Sequence, residues 1–266
     1  MKTYLKDNRG FTLVELAIVM IIIGLLIGGV LKGQQLVDNA KVTSTLAQVK
    51  AYQASVNAFL DTYGMMPGDM SNATSRVPAC VAADNNCGDG NADGFISMST
   101  DADDGGGGTV STESLSPDWN TLSNGSSESD MAWKHLGLAG LITGVDTDSD
   151  PTELTWGVTH PSSTLRGGFE MYYDTDFSDV GPASSGLVLR LTNTGMGAGT
   201  MGSTGLEPAT PNQAANMDRK LDDGQPSNGI VFVNGAKTGD DGCKSDDEYD
   251  EQTDQRNCLV YFVMDS

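Results

Sequence analysis

Residues 11–31 read FTLVELAIVMIIIGLLIGGVL, an apolar run in which Glu15 is the one charged residue. As an α-helix this run would span roughly 30 Å, the hydrocarbon thickness of a bilayer. The ten residues before it, MKTYLKDNRG, carry a net charge of +2, and positively charged flanks stay on the cytoplasmic side. The sequence therefore predicts a membrane-spanning N-terminal helix with the rest of the chain outside the inner membrane.

The helical pattern continues beyond the apolar run. Apolar residues recur at steps of three, four and seven and form one helical stripe. We expect Gly64 to end the helix, because glycine is common after the last helical turn, and Pro67 cannot continue it. The predicted helix covers 11–63, with 11–31 in the membrane or a filament core and 32–63 amphipathic. The stripe consists of Val42, Leu46, Val49, Val56, Leu60 and Tyr63.

Glu15 is the one charged side chain in this apolar run. A carboxylate within an apolar membrane helix is costly and usually functional. One interpretation places it near the membrane interface, where the side chain reaches the headgroups. The other requires a positive partner, and the run itself contains none.

The residues around Glu15 resemble a known signal. Arg9-Gly10-Phe11-Thr12-Leu13-Val14-Glu15-Leu16 is similar to the processing motif of type IV pilins and type II secretion pseudopilins. The resemblance implies that a prepilin peptidase removes a leader at 1–10 by cutting between Gly10 and Phe11, and that Phe11 is then N-methylated. It also implies that Glu15 pairs with the N-terminal amine of a neighbouring subunit.

The same resemblance implies an α+β fold, in which the long N-terminal α-helix packs on an antiparallel β-sheet of a pilin-like globular domain at 64–266. This acidic domain has long irregular loops. Capping residues predict two further helices, Met131–Ile142 after Ser127 and 211–222 after Thr210. Short β-rich runs predict strands at 154–160, 169–174, 186–193, 229–233 and 258–264.

Charge and composition exclude several function classes. The 266 residues include 36 Asp and Glu against 15 Lys and Arg, for a net charge of −21, which argues against direct binding of nucleic acid. His135 and His160 are isolated, and no nucleophile or phosphate-binding motif is present. A membrane-anchored enzyme would need a convergent catalytic cluster, and electron conduction would need more aromatic residues in the helix. We therefore expect a protein that is not an enzyme.

Four cysteines in an oxidising compartment predict two disulfides. Three connectivities exist, and we favour the nearest-neighbour pairs Cys80–Cys87 and Cys243–Cys258. The second pair would enclose a loop that resembles the exposed C-terminal loop of type IV pilins. A zinc site is disfavoured, because closely spaced cysteine pairs are absent.

One acidic segment is typical of a calcium loop. Asp89-Gly90-Asn91-Ala92-Asp93-Gly94-Phe95-Ile96 has oxygen-bearing side chains at alternate positions and a glycine at the turn. The twelfth position is Thr100, so the usual bidentate Glu is missing. Calcium bound by Asp89, Asn91 and Asp93 is one interpretation, and an acidic turn without metal is the other.

The sequence thus favours a structural subunit of a type IV pilus-like filament. The alternatives are a pseudopilin of a type II secretion system and a minor or tip adhesive pilin. The expected partners are further copies of the chain, the prepilin peptidase and the inner-membrane assembly platform. The expected location is the inner membrane for the precursor and then an extracellular pilus or a periplasmic pseudopilus.

Overall fold

The computed structural model describes residues 12–81, 86–97, 127–151, 154–174, 186–193, 207–235, 242–245 and 247–264. The chain divides into two compact units, Met1–Lys41 and Val42–Ser266. The helices are α1 (Leu13–Tyr63), α2 (Ala73–Arg76), α3 (Glu128–Leu138) and α4 (Pro211–Leu221). The strands are β1 (Gly168–Asp174), β2 (Gly186–Thr192), β3 (Val231–Gly235), β4 (Lys244–Ser245), β5 (Glu248–Tyr249) and β6 (Cys258–Met264).

In the first unit, α1 exposes its apolar side chains. The large apolar residues from Leu13 to Val37 are between 45% and 87% exposed. By length and composition this helix could cross a membrane. Burial of these side chains requires an apolar environment, because water is an unfavourable solvent for them.

In the second unit, the C-terminal part of α1 buries one face. Its buried residues recur at helical spacing, and they belong to the same hydrophobic cluster as alternate residues of β1, β2, β3 and β6. Tyr52 makes edge contacts with Trp133 of α3 and Phe169 of β1, with ring centroids 5.2 and 5.3 Å apart. The buried α1 residues are Val42, Thr45, Leu46, Val49, Tyr52, Val56 and Phe59.

The main sheet is antiparallel and has the strand order β1-β2-β6-β3. Residues alternate between its two faces, as the pleat requires. One face joins the cluster that includes α1. The other carries a second cluster of Tyr172, Val188, Phe232, Leu259 and Tyr261. The predicted α+β fold of a long N-terminal helix and an antiparallel sheet is confirmed.

The second sheet face also holds a buried ion pair. The guanidinium of Arg190 on β2 donates through Nε to Oε2 of Glu170 on β1 at 2.9 Å, and its Nη2 also contacts this oxygen. Both side chains are at most 5% exposed, and the two residues are directly opposite in the strand register. Neither charge is therefore buried alone, which would be costly.

Several predicted boundaries change. The prediction of a strand at 154–160 is wrong, because this segment forms a turn. The carbonyl of Thr155 accepts the N–H groups of Val158 and Thr159, and Gly157 within the turn has φ +77°. The helix predicted to reach Ile142 ends at Leu138, since Gly140 adopts φ +71° and the N–H of Leu141 returns to the carbonyl of Leu136. The strand predicted at 229–233 lies at Val231–Gly235.

Both predicted helix caps are confirmed. Ser127 and Asp130 form a reciprocal capping box at the start of α3, and Thr210 and Gln213 form another at the start of α4. Each box satisfies backbone N–H groups that have no partner within the helix.

We predict that Phe59→Ala lowers the free energy of unfolding by about 3–5 kcal/mol, because it removes a fully buried ring and leaves a cavity. The matched control is Asn57→Ala on the exposed side of the same helix turn, where a change within about 0.5 kcal/mol is expected. Urea unfolding of the detergent-solubilised chain, followed by tryptophan fluorescence, measures both. Equal losses in the two variants would contradict this packing.

Candidate functional site

Asp89 is the first residue of the predicted calcium loop at 89–96. It lies outside the group of three carboxylates that the structure brings together at this loop. Its two carboxylate oxygens accept the backbone N–H of Thr74 at 2.8 Å and the hydroxyl of Thr74 at 3.1 Å. These bonds hold the segment against the short helix α2. Asp89 therefore supports the loop through α2.

Asn91 and Asp93 are engaged with each other. The amide Nδ2 of Asn91 donates to Oδ2 of Asp93 at 2.9 Å, and Oδ1 of Asn91 accepts the backbone N–H of Asp93 at 3.0 Å. Asp93 also accepts the N–H of Phe95 at 2.9 Å. These local bonds make an acidic turn whose carboxylate faces two further acidic residues.

The structure brings Asp93 together with Asp69 and Glu128, which the sequence analysis missed. One carboxylate oxygen from each of the three residues lies within 4.8 Å of the others. Asp69 follows the α1 segment, and Glu128 begins α3. Because the three residues are far apart along the chain, no local sequence motif predicts the cluster. The one sequence signal is the acidic first turn of α3.

Two of these carboxylates are buried and hold the loop by its backbone. Asp69, 3% exposed, accepts the N–H groups of Asp93 and Gly94, each at 3.0 Å. Glu128, 2% exposed, accepts the N–H groups of Asn91 and Ser97, each at 3.0 Å. The loop therefore wraps around two acidic side chains.

Burial, and next to it the proximity of other carboxylates, changes the protonation of Asp69 and Glu128. Burial, together with the charges of Glu128 and Asp93, raises the pKa of Asp69 to about 7. Burial also raises the pKa of Glu128, against the opposing effect of its hydrogen bonds. Near neutral pH the cluster therefore holds a proton or needs a cation, because three close carboxylates repel one another.

A neutral histidine fixes the neighbouring backbone. The Nδ1 atom of His135 accepts the N–H of Gly68 at 2.9 Å, so its Nε2 carries the proton and donates to the carbonyl of Gly88 at 3.0 Å. Burial lowers the pKa of His135 to about 4. Gly68 has φ +89°, and a Cβ there would lie 2.2 Å from the carbonyl oxygen of Glu128. The residue before Asp69 must therefore be a glycine.

Disulfides join Cys80 to Cys87 and Cys243 to Cys258, which are the pairs that the sequence analysis favoured. All four cysteines are at most 2% exposed. The first disulfide closes the segment that leads to the acidic loop. The second closes the hairpin of β4 and β5 onto the start of β6.

The helix start around Glu15 has a defined geometry. Oε2 of Glu15 accepts the backbone N–H of Thr12 at 2.9 Å and its hydroxyl at 2.8 Å, while Oγ1 of Thr12 accepts the N–H of Glu15 at 3.2 Å. This reciprocal arrangement is a capping box. The predicted cleavage residues Gly10 and Phe11 lie outside the described residues.

A family model describes this end of the chain. The prokaryotic N-terminal methylation motif matches residues 5–31. The chain carries the signal motif of type IV pilins and pseudopilins. Comparison with curated proteins and with solved structures finds no match.

The pilin-type signal indicates what the start of α1 is for. It implies processing by a prepilin peptidase and assembly into a filament, and with the apolar helix it fits a membrane-anchored precursor. The family with this signal is structural and not enzymatic. Glu15 lies within the matched residues, and a carboxylate that caps its own helix can still accept a cation, since it offers two oxygens.

We predict that the Asp69 cluster makes the chain more stable at pH 5 than at pH 8 when calcium is chelated. The folded pKa of Asp69 is raised to about 7, so the folded state binds more protons than the unfolded state between about pH 4 and 7. The stability contribution is complete below pH 4 and is lost as the pH rises through 7. Between pH 5 and 8 this amounts to about 2 kcal/mol.

Urea unfolding in a chelating buffer tests the prediction by comparing the wild type with Asp69→Asn, which cannot titrate. We expect the difference between the two pH values to shrink in Asp69→Asn. The matched control is Asp148→Asn at an exposed position, which should keep the wild-type difference. An Asp69→Asn variant with the wild-type difference would show that another group is responsible.

Proposed function

We propose that this protein is a structural subunit of a type IV pilus-like extracellular filament. The observation that carries the proposal is the methylation motif at residues 5–31, which leads directly into a helix with exposed apolar side chains from Leu13 to Val37. Neighbouring copies would bury these side chains by bundling their helices, as the membrane does before assembly. The precursor resides in the inner membrane and is received by an assembly platform there.

Glu15 would direct this bundling. Cleavage between Gly10 and Phe11 creates a new N-terminal amine, and the carboxylate of Glu15 in a neighbouring copy would neutralise it. Before assembly, the hydrogen bonds from Thr12 provide partners for the carboxylate. An unpaired charge in an apolar helix bundle would oppose assembly.

The alternatives belong to the same class of proteins. A pseudopilin of a type II secretion system and a minor or tip pilin have the same signal. The four-stranded sheet with its disulfide-closed segments does not distinguish the three roles. Abundance in the filament distinguishes the three roles.

Intact-mass and N-terminal analysis of the filament fraction sheared from cells tests the proposal. We expect an abundant species that begins with N-methylated Phe11, and Glu15→Gln should reduce it at least about tenfold, because each subunit loses a charge-assisted contact. Gln34→Ala, at an exposed position of the same helix, is the matched control and should assemble normally.

Each other outcome has a separate meaning. A processed form confined to the cell envelope would favour a pseudopilin or a rare tip subunit. A chain that still begins at Met1 would overturn the filament proposal. Normal assembly of Glu15→Gln would remove the role of Glu15 and leave helix bundling in place.

We also propose calcium as a ligand of the acidic loop. Calcium–oxygen distances of about 2.3–2.6 Å allow two ligand oxygens up to roughly 5 Å apart, which fits the 4.8 Å limit within the cluster. Asp69, Asp93 and Glu128 would hold the ion, in place of the sequence-predicted set of Asp89, Asn91 and Asp93. A divalent cation would neutralise the charges of Glu128 and Asp93, which together with burial raise the pKa of Asp69.

Thermal unfolding at pH 8 in calcium and in chelator tests this ligand set. We expect calcium to raise the melting temperature of the wild type, as any ligand of the folded state does. Asp93→Asn should abolish the increase. Asp89→Asn is the matched control, because it removes a loop carboxylate outside the cluster. Loss of the effect in Asp89→Asn would restore the sequence-predicted set, and a wild type insensitive to calcium would contradict calcium binding.

A further inference from the structure

The second compact unit has a strong charge imbalance. Residues 42–266 contain 33 acidic and 10 basic residues, for a formal charge of −23. Residues 1–41 have a formal charge of +2. Nearly all of the charge of the chain therefore lies in the unit that carries the sheet.

Most cationic side chains that the structure describes in this unit contact their own chain, whereas Lys50 is exposed without a side-chain contact of this kind. Within the described ranges, Arg190 is buried against Glu170, and Lys134, 4% exposed, donates to the carbonyl of Ser149 at 2.7 Å. Arg219 pairs with Glu251. Similar contacts to neutral oxygens hold Arg76, Lys220, Lys244 and Arg256. Each of these cations therefore has a contact within its own chain, and Arg190 and Lys134 are also buried.

Among the exposed charged residues that the structure describes in this unit, nine carboxylates outnumber five cations. Most of these carboxylates come from the end of α1, from the loop after α3, and from the segment closed by the second disulfide. These positions are on separate parts of the chain, so the charge is a property of the surface and not of one cluster. Asp61, Asp148, Asp247, Glu248 and Asp254 are exposed.

A filament would bring many such units close together. Like-charged surfaces repel over a distance set by salt, about 30 Å at 10 mM and about 8 Å at 150 mM ionic strength. Burial of the apolar helix depends little on dilute salt, whereas the repulsion depends on it strongly. The balance between the two therefore changes within ordinary salt concentrations.

We propose, resting on the proposed filament function, that dissolved cations control the association of copies of this chain. The acidic units of neighbouring copies repel each other, and mobile cations between them permit helix bundling. The filament is then stable in salt and dissociates when salt is removed. The cation acts by screening, so no single ion species is required.

The experiment measures the fraction of sheared filaments that pellets after dialysis to low or moderate salt. For the wild type we expect this fraction to fall at least about threefold at 10 mM NaCl relative to 150 mM, and to recover when salt is restored. A variant with Asp61→Asn, Asp148→Asn, Asp247→Asn, Glu248→Gln and Asp254→Asn should pellet to a greater extent at 10 mM.

The matched control exchanges Asp for Glu, and Glu for Asp, at the same five positions, which keeps the charge and should keep the salt dependence. Pelleting of the wild type that does not depend on salt would overturn the inference. Recovery with calcium but not with NaCl at equal ionic strength would also overturn it, because a specific ion site would then be responsible. If the protein is absent from the sheared fraction at every salt concentration, the filament function itself fails.

Discussion

The contact between the C-terminal part of α1 and the four-stranded sheet is the interaction on which the second unit depends. Val42, Val49, Val56 and Phe59 are each at most 5% exposed and share one hydrophobic cluster with the strands. Without this helix, one face of the sheet would lose its cover, and a sheet needs a second layer to bury its apolar face. A single helix thus supplies both the core of one unit and the exposed apolar surface of the other.

Patterns that depend on neighbouring residues could be predicted from the sequence. The apolar period of α1, the capping boxes at Ser127 and Thr210, and β6 all follow from local rules. The run at 154–160 has the composition of a strand, yet Gly157 at φ +77° allows the chain to turn back before it can pair. Local composition does not report such a reversal.

The acidic cluster shows a different limit. Asp93 lies within a segment that resembles a calcium loop, but the residues that face it come from positions 69 and 128. The tight approach of Gly68 to Glu128 and the bonds of His135 to two backbone segments bring those residues together. No spacing in the sequence encodes these contacts, because each depends on how three segments fold against one another.

The buried pair of Arg190 and Glu170 restricts how this sheet can change through evolution. Loss of either side chain would leave the other charge buried without its ion-pair partner beside Tyr172, Val188 and Tyr261, at a cost of about 3–5 kcal/mol. Replacement of both by apolar residues avoids that cost. Related chains should therefore retain the two charges together or lose them together, and this covariation would identify β1 and β2 as neighbours even where the surrounding loops differ in length and sequence.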